Sequence, residues 1–258
     1  MKHVFGINFS SLTQQAIVDL VTQDIPNGSG PRLVVTTNLD HVVNLTRRAD
    51  YRAAYGSAWI STADGWPVYL YARLRGVKLP ARVTGADLVQ SLFGCWDPAR
   101  HRVFMIGSNQ EACERLTKRL TSQGFDPASV AWVVPPLGFE YDHTCSTNMA
   151  QQVAKHGTTH LLMGIGSPKS EVWVHQHRQI LGGLYAFGLG AGLDFLAGTQ
   201  RRAPPFMRRI GMEWFWRLAQ EPRRLAPRYL LNSWRFLIAV AKDLQSPMPL
   251  SLEGSDRS

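Results

Sequence analysis

Six short apolar runs, each followed by a helix-patterned stretch, constrain this chain more than any other feature. The runs are Arg32–Thr36, Ala58–Ser61, Arg102–Ile106, Val130–Val134, His160–Gly164 and Leu184–Gly188. Between them Leu39–Tyr55, Gly65–Arg73, Gly85–Phe93, Gln110–Thr121, Asn148–His156 and Glu171–Leu181 read as helices. Strands alternating with helices at this spacing predict an α/β fold: a Rossmann-like, mainly parallel sheet with helices on both faces. Ligands of such sheets bind at the carboxyl ends of the strands. Three strand ends run into turn residues there: Thr36-Thr37-Asn38, Ile106-Gly107-Ser108-Asn109 and Gly164-Ile165-Gly166-Ser167-Pro168.

After Gly198 the character changes. Arg201-Arg202-Ala203-Pro204-Pro205 breaks the pattern, and helical stretches Phe206–Gln220 and Leu225–Leu244 lead into a polar tail. We therefore expect a catalytic-type domain over residues 1–198 and a basic helical appendage over 199–258. The charge follows this division. Of 28 Lys and Arg against 19 Asp and Glu, the first part carries 17 and 14, the second 11 and 5. A net charge of +9 favours acidic partners: nucleic acid, phosphates or anionic lipid. In the appendage, arginines 201, 202, 208, 209, 217, 223, 224, 228 and 235 interleave with Phe206, Trp214, Phe215, Trp216, Tyr229, Trp234 and Phe236. Such helices suit a membrane interface or a polyphosphate, single-stranded nucleic acid, or a solvated face packed on the main domain.

Other classes are excluded. Cys95, Cys113 and Cys145 lie far apart without ligand spacing, so we expect free thiols in a reducing cytoplasm and no zinc module. The first ten residues hold no apolar run of signal-peptide length. The most apolar stretch, Tyr229–Ala241, is too short to span a bilayer and is interrupted by Asn232 and Arg235.

The turns hold the candidate chemistry. Gly164 to Glu171 places glycines, Lys169 and a helix start together, which suits an anion, although an ordinary strand–helix turn has the same pattern. It is no Walker A loop, because Pro168 stands where the Gly before Lys is required. Gly107-Ser108-Asn109 reads as a diphosphate turn or a plain helix cap. Gly188 to Asp194 misses the dinucleotide fingerprint at Leu193, which disfavours an NAD-dependent oxidoreductase. Asp64 follows a strand, where a carboxylate serves as general base or as helix cap. Asp40 and His41 read as surface or capping residues, and His175 and His177 face apart on their helix.

Several motifs together carry a resemblance. Thr36-Thr37-Asn38, Ala63-Asp64-Gly65-Trp66-Pro67, Arg82-Val83-Thr84-Gly85-Ala86-Asp87-Leu88 and Gly164 to Glu171 occur in order. Asp194-Phe195-Leu196-Ala197-Gly198, Arg202-Ala203-Pro204 and Glu213-Trp214 follow. The chain resembles the WecG/TagA/CpsF glycosyltransferase family, glycosyltransferase family 26, up to about Tyr229. The resemblance implies inverting, metal-independent transfer from a UDP-sugar to a polyprenyl-diphosphate-linked saccharide in bacterial surface polysaccharide synthesis. It implies an enzyme peripheral on the cytoplasmic face of the cell membrane.

By motif, Asp64 resembles the general base, Thr36 and Asn38 its pocket neighbours, and Arg82 an arginine orienting substrate phosphate or sugar. Asp194 and Gly138-Phe139 would sit near the nucleoside. Gly107, Gly166, Lys169, Ser170 and Glu171 would contact substrate. Arg202, Arg209, Arg217 and Arg224 resemble an appendage that completes the site and reaches the lipid diphosphate. Ser170 departs from the Gln common in the family, and its hydroxyl cannot make the same amide contact. Without a DxD-type pair, helix N-termini and arginines would stabilise the leaving UDP. The resemblance thus implies no metal and no cofactor. The expected partners are a UDP-sugar, the lipid-linked acceptor and an anionic membrane surface, with a homo-oligomer left open and no nucleic acid. The competing reading is a basic α/β nucleic-acid-binding protein without catalysis.

Overall fold

Each apolar run becomes a strand because both faces of a parallel sheet are covered, which rewards continuous apolar sequence. The computed structural model describes residues 3–26, 28 and 30–245. A short antiparallel hairpin, β1 (His3–Val4) and β2 (Ile7–Asn8), leads into α1 (Gln14–Gln23). The main sheet comprises β3 (Arg32–Thr37), β4 (Ile60–Ala63), β5 (Val103–Ile106), β6 (Val130–Val133), β7 (His160–Met163) and β8 (Tyr185–Gly188). All its pairings are parallel, in the order β4-β3-β8-β7-β5-β6. The predicted α/β architecture is therefore observed.

Around the sheet run α2 (Leu39–Arg47), α3 (Ala49–Gly56), α4 (Trp66–Leu74), α5 (Gly85–Cys95), α6 (Gln110–Ser122), α7 (His143–Lys155), α8 (Lys169–Gln176), α9 (Arg178–Leu181) and α10 (Gly192–Ala197). The C-terminal segment adds α11 (Pro205–Arg209), α12 (Glu213–Gln220) and α13 (Pro222–Gln245). Side chains alternate across the sheet with period two. Leu33 and Val35 join one core with Tyr51, Val68, Val153 and Trp173, while Val34 joins the other with Ile17, Leu88 and Leu116. Each such fully buried side chain contributes about 1.5–3 kcal/mol.

The chain leaves β5 towards β6 at one edge, but leaves β7 towards β8 in the opposite direction. That reversal opens a crevice at the carboxyl ends of β5 and β7, where ligands of such sheets bind. Gly107 and Gly164 begin its two walls.

The C-terminal segment returns to the main body. Phe236 and Ala239 of α13 are buried in the same core as Val4 and Tyr69. Asn232 donates to Asp40 at 2.7 Å, and Asp243 accepts from the Phe5 backbone N–H at 2.7 Å, the Tyr71 hydroxyl at 2.8 Å and Arg75 at 2.5 Å. On the outer side Leu230, Leu231, Trp234, Leu237 and Ile238 form an exposed stripe at helical spacing. Among the described residues no helix is long and apolar enough to cross a membrane. The polar tail lies outside the described residues.

Candidate active site

Asp64 is the first residue after β4, and its backbone N–H bonds to the Thr37 carbonyl at 2.8 Å, which joins it to the end of β3. Arg82 donates to the Asp64 carbonyl at 2.9 Å and lies 3.6 Å from its carboxylate. The guanidinium also stacks over the Trp66 ring at 5.7 Å. Burial pushes the Asp64 carboxyl up to about 7, against the opposing pull of Arg82 and the Gly85 N–H; Glu213 and Asp87 push in the same direction as burial. With 27% of the side chain still meeting solvent, a substrate hydroxyl can reach it. A carboxylate that is half ionised near neutrality is a strong base for its type.

Thr36 is 4% exposed and donates to the Gly188 carbonyl at 3.4 Å, so it braces β3 against β8 beneath the site. Asn38 caps α2 by accepting the His41 N–H at 3.3 Å, and the Gly65 backbone passes against it. His41 is neither a surface nor a capping side chain. It is buried, and its ring bonds the Tyr55 hydroxyl at 2.6 Å.

The C-terminal segment reaches this cluster. Arg202 donates to Asp87 at 2.6 Å and to Thr84 at 3.2 Å, and lies 3.7 Å from Glu213. Arg208 approaches Asp87 at 3.5 Å, and its carbonyl accepts the Trp66 indole N–H at 3.4 Å. Burial raises the Asp87 carboxyl, but Arg202, Thr84 and Arg208 win and hold it below the usual range. Gly211, at φ +80°, lets the chain turn flat against Trp66, where a Cβ would stand 2.8 Å from the ring. Arg217 lies over Phe195 of α10 at 5.6 Å. Arg209 is exposed and joins none of these pairs. The Arg224 side chain lies outside the described residues.

The crevice side holds the other predicted residues. Gly107 starts the turn after β5, and the neighbouring Ser108 hydroxyl donates to Asp194 at 3.5 Å. Burial raises the Asp194 carboxyl, opposed by Thr199 and Ser108. Lys169 pairs with Glu140 at 2.7 Å and covers the Phe139 ring at 5.9 Å. The turns at Gly138 and Gly166 are thereby brought together. Ser170, 1% exposed, bonds back to the Gly166 carbonyl at 3.1 Å. An adjacent cavity of about 440 Å³ opens between Val133, Pro135, Cys145 and Met149, and none of the predicted residues lines it.

Glu171 is 1% exposed and packs where Gly188 lacks a side chain; a Cβ there would stand 3.0 Å from its Oε1. Its Oε2 has no hydrogen-bond partner. Burial pushes its carboxyl up to about 7, against its own backbone N–H and Ser167. Ser167 bonds the Tyr51 hydroxyl at 2.7 Å, and Tyr55 bonds Thr37 at 3.2 Å. Glu171 thus supports the crevice turn from behind and is placed away from solvent.

The family model for "Glycosyl transferase WecG/TagA/CpsF family" matches residues 2–248. The chain belongs to this family. Similar curated proteins include an N-acetylglucosaminyldiphosphoundecaprenol N-acetyl-beta-D-mannosaminyltransferase of Bacillus subtilis (strain 168), 24% identical over 81% of this chain and 76% of the relative. The proteins of that name from Bacillus spizizenii (28%; 81% and 78%) and Staphylococcus aureus (strain MW2; 22%; 93% and 92%) are also similar. Membership in the WecG/TagA/CpsF family makes the chain a glycosyl transferase rather than a non-catalytic nucleic-acid-binding module.

Read as a member of the family, the chain gathers Asp64, Arg82, Thr36 and Asn38 around the ends of β3 and β4. Asp87 and Glu213 join the first cluster although sequence reasoning assigned them no role, and Arg208, read only as one of the interleaved C-terminal arginines, joins it through Asp87. Asp87 and Glu213 do lie inside the segments that carry the resemblance. Their signal was an unassigned charge in a motif.

Proposed function

We propose that the protein transfers a sugar from a UDP-sugar to a polyprenyl-diphosphate-linked saccharide, with inversion and without a metal. The observation that carries this reading is Asp64: a largely buried carboxylate with raised proton affinity, beside Arg82 at the mouth of the site. The relatives' names place an undecaprenol-diphosphate-linked sugar among their substrates, which supports the same acceptor class here. Asp64 takes the proton of the acceptor hydroxyl while that oxygen bonds the sugar's anomeric carbon. The bond to UDP breaks on the opposite face, and UDP keeps the electron pair. Cations and helix N-termini stabilise the departing diphosphate. Among the described residues no group of three His, Cys, Asp or Glu could hold a metal.

In this reading residues 1–198 carry the base and the donor turns, and 199–258 form the acceptor- and membrane-binding appendage. Arg202, Arg208 and Arg217 face inward to the lipid diphosphate, while the apolar stripe of α13 lies on the inner leaflet. The experiment is a mass-spectrometric transfer assay with a panel of UDP-sugars against lipid-diphosphate acceptors. An acceptor heavier by one sugar, with inverted anomeric configuration by NMR, supports the reading. Retained configuration, or no transfer from any UDP-sugar while UDP fails to raise Tm, overturns it.

A further inference from the structure

Two tyrosines of α3 reach both halves of the site from within the core. Tyr51 and Tyr55 lie one turn apart, so their side chains share a face of α3. Both are buried, and their ring centroids stand 5.0 Å apart. Burial raises the proton affinity of both phenols, so each hydroxyl keeps its hydrogen. The two hydroxyls reach different strand ends. Tyr55 bonds Thr37 Oγ1 at 3.2 Å and His41 Nδ1 at 2.6 Å, at the end of β3. The Thr37 carbonyl in turn accepts the backbone N–H groups of Asp64 at 2.8 Å and Gly65 at 3.4 Å. Tyr51 bonds the Ser167 hydroxyl at 2.7 Å, in the turn between β7 and α8. In the sheet β8 separates β3 from β7, so no ladder bond joins these two strands directly. Helix α3 bridges their loops instead.

We infer that Tyr51 and Tyr55 are positioning residues for transfer: their hydroxyls, acting through Ser167 and Thr37, hold the donor turn and the Asp64 loop at a fixed separation. This rests on the reading of Asp64 as the base and of the turn from Gly164 to Glu171 as the donor turn. In an in-line displacement the acceptor oxygen must stand about 3–3.5 Å from the anomeric carbon, and a misplacement of about 1 Å costs on the order of 100-fold. Base and donor turn stand on separate loops, and loops place reacting groups less precisely than helices do. The two phenols tie both loops to one helix. Tyr51 governs how far the donor turn is ordered before UDP arrives, and Tyr55 governs where Asp64 stands. Packing alone asks only for the rings, which Phe would supply. A buried hydroxyl costs stability unless it is bonded, and here both bonds lead to the loops of the site.

The test compares Tyr51→Phe and Tyr55→Phe, which keep the rings and remove the hydroxyls. Calorimetry with UDP reads the donor side, and steady-state transfer with the UDP-sugar of the panel that gives product reads both sides. Tyr51→Phe should weaken UDP binding and raise the donor KM by about 5-fold, the worth of one hydrogen bond. Tyr55→Phe should leave UDP affinity in place and lower kcat by about 10-fold or more, as a displaced base requires. Ser167→Ala removes the Tyr51 bond from a half-buried loop side chain, so it keeps the donor arm testable should Tyr51→Phe fold poorly. The double variant Tyr51→Phe/Ser167→Ala should bind UDP no more weakly than Ser167→Ala alone, because both changes break the same bond. Hydroxyls that only stabilise the fold would lower Tm and leave UDP affinity, donor KM and kcat at parental values. Parental UDP affinity in Tyr51→Phe, parental kcat in Tyr55→Phe, or additive losses in the double variant overturn the proposal. UDP that fails to bind the parent protein overturns the reading of the donor turn, full turnover in Asp64→Asn overturns that of the base, and either takes the proposal with it.

Discussion

Asp64 and Glu171 are both pushed up to about 7 by burial, yet they stand in different relations to solvent. Asp64 keeps 27% of its side chain exposed and has Arg82 beside it, so its ionised form is usable. Asp64→Asn should keep the fold and slow turnover about 100-fold or more, read by steady-state transfer and Tm. Because the base must be unprotonated, kcat/KM should rise with pH through about 7 and level above it. Glu171 has no such outlet. Its proton comes off near 4.5 in the unfolded chain and near 7 in the folded one. Between those values the native state binds more protons, so stability falls as pH rises, and the whole penalty is present above about 7. Glu171→Gln imitates the neutral acid and should make Tm less sensitive to pH over that window, with a higher Tm than the parent at pH 8. An identical pH dependence in the two proteins would show that Glu171 does not keep its proton.

At the scale of elements, the six strands were legible because buried parallel strands are written as continuous apolar runs. Their crossover helices were legible in kind, less so in extent. Leu39–Tyr55 divides at Arg48, whose backbone is extended (φ −122°, ψ 118°) while its side chain pairs with Asp50. Phe206–Gln220 divides at Gly211, and Glu171–Leu181 becomes α8 and α9 with a break at His177. Helix α7 begins five residues before the predicted Asn148, because the Asp142 side chain caps the Cys145 N–H at 2.9 Å. The hairpin of β1 and β2 has two-residue strands, too short to show a period, and α1 went unread although Thr13 caps it. In the candidate site, the position of Asp64 at the end of β4 was legible from the strand before it and its motif. The pair Arg202–Asp87 joins residues 115 positions apart, and no local pattern encodes it. The same holds for Asp243, which ties α13 to α4 and the hairpin. Asp243→Ala should cost about 1–3 kcal/mol, since it strands Arg75 and Tyr71. Hydrogen exchange should quicken in the last turns of α13 and at the hairpin; protection unchanged at both would refute the anchor.

For the whole molecule, the outer side of the C-terminal segment combines exposed apolar side chains with the exposed Arg201, Arg209 and Arg223. Trp214, Leu230, Trp234 and Leu237 are each at least half exposed. Near an anionic leaflet each basic side chain contributes about 1 kcal/mol, and the contribution fades with salt. Full-length protein should therefore co-sediment with vesicles containing phosphatidylglycerol and come off at high salt, and Trp234→Glu with Leu237→Glu should abolish the binding. Equal binding to neutral vesicles, or by the double variant, would refute the membrane face. Turnover should also survive EDTA; loss on chelation with rescue by Mg²⁺ or Mn²⁺ would reassign the leaving-group chemistry. The Phe5–Asp243 bond has a temporal side. It joins residues 238 positions apart, so the turn at Phe5 waits for a partner synthesised long after it. Until that partner emerges, the strap that carries Arg202, Arg208 and Glu213 has no anchor at its far end. A nascent chain would hold all six strands of its main sheet before the C-terminal segment could be tied down.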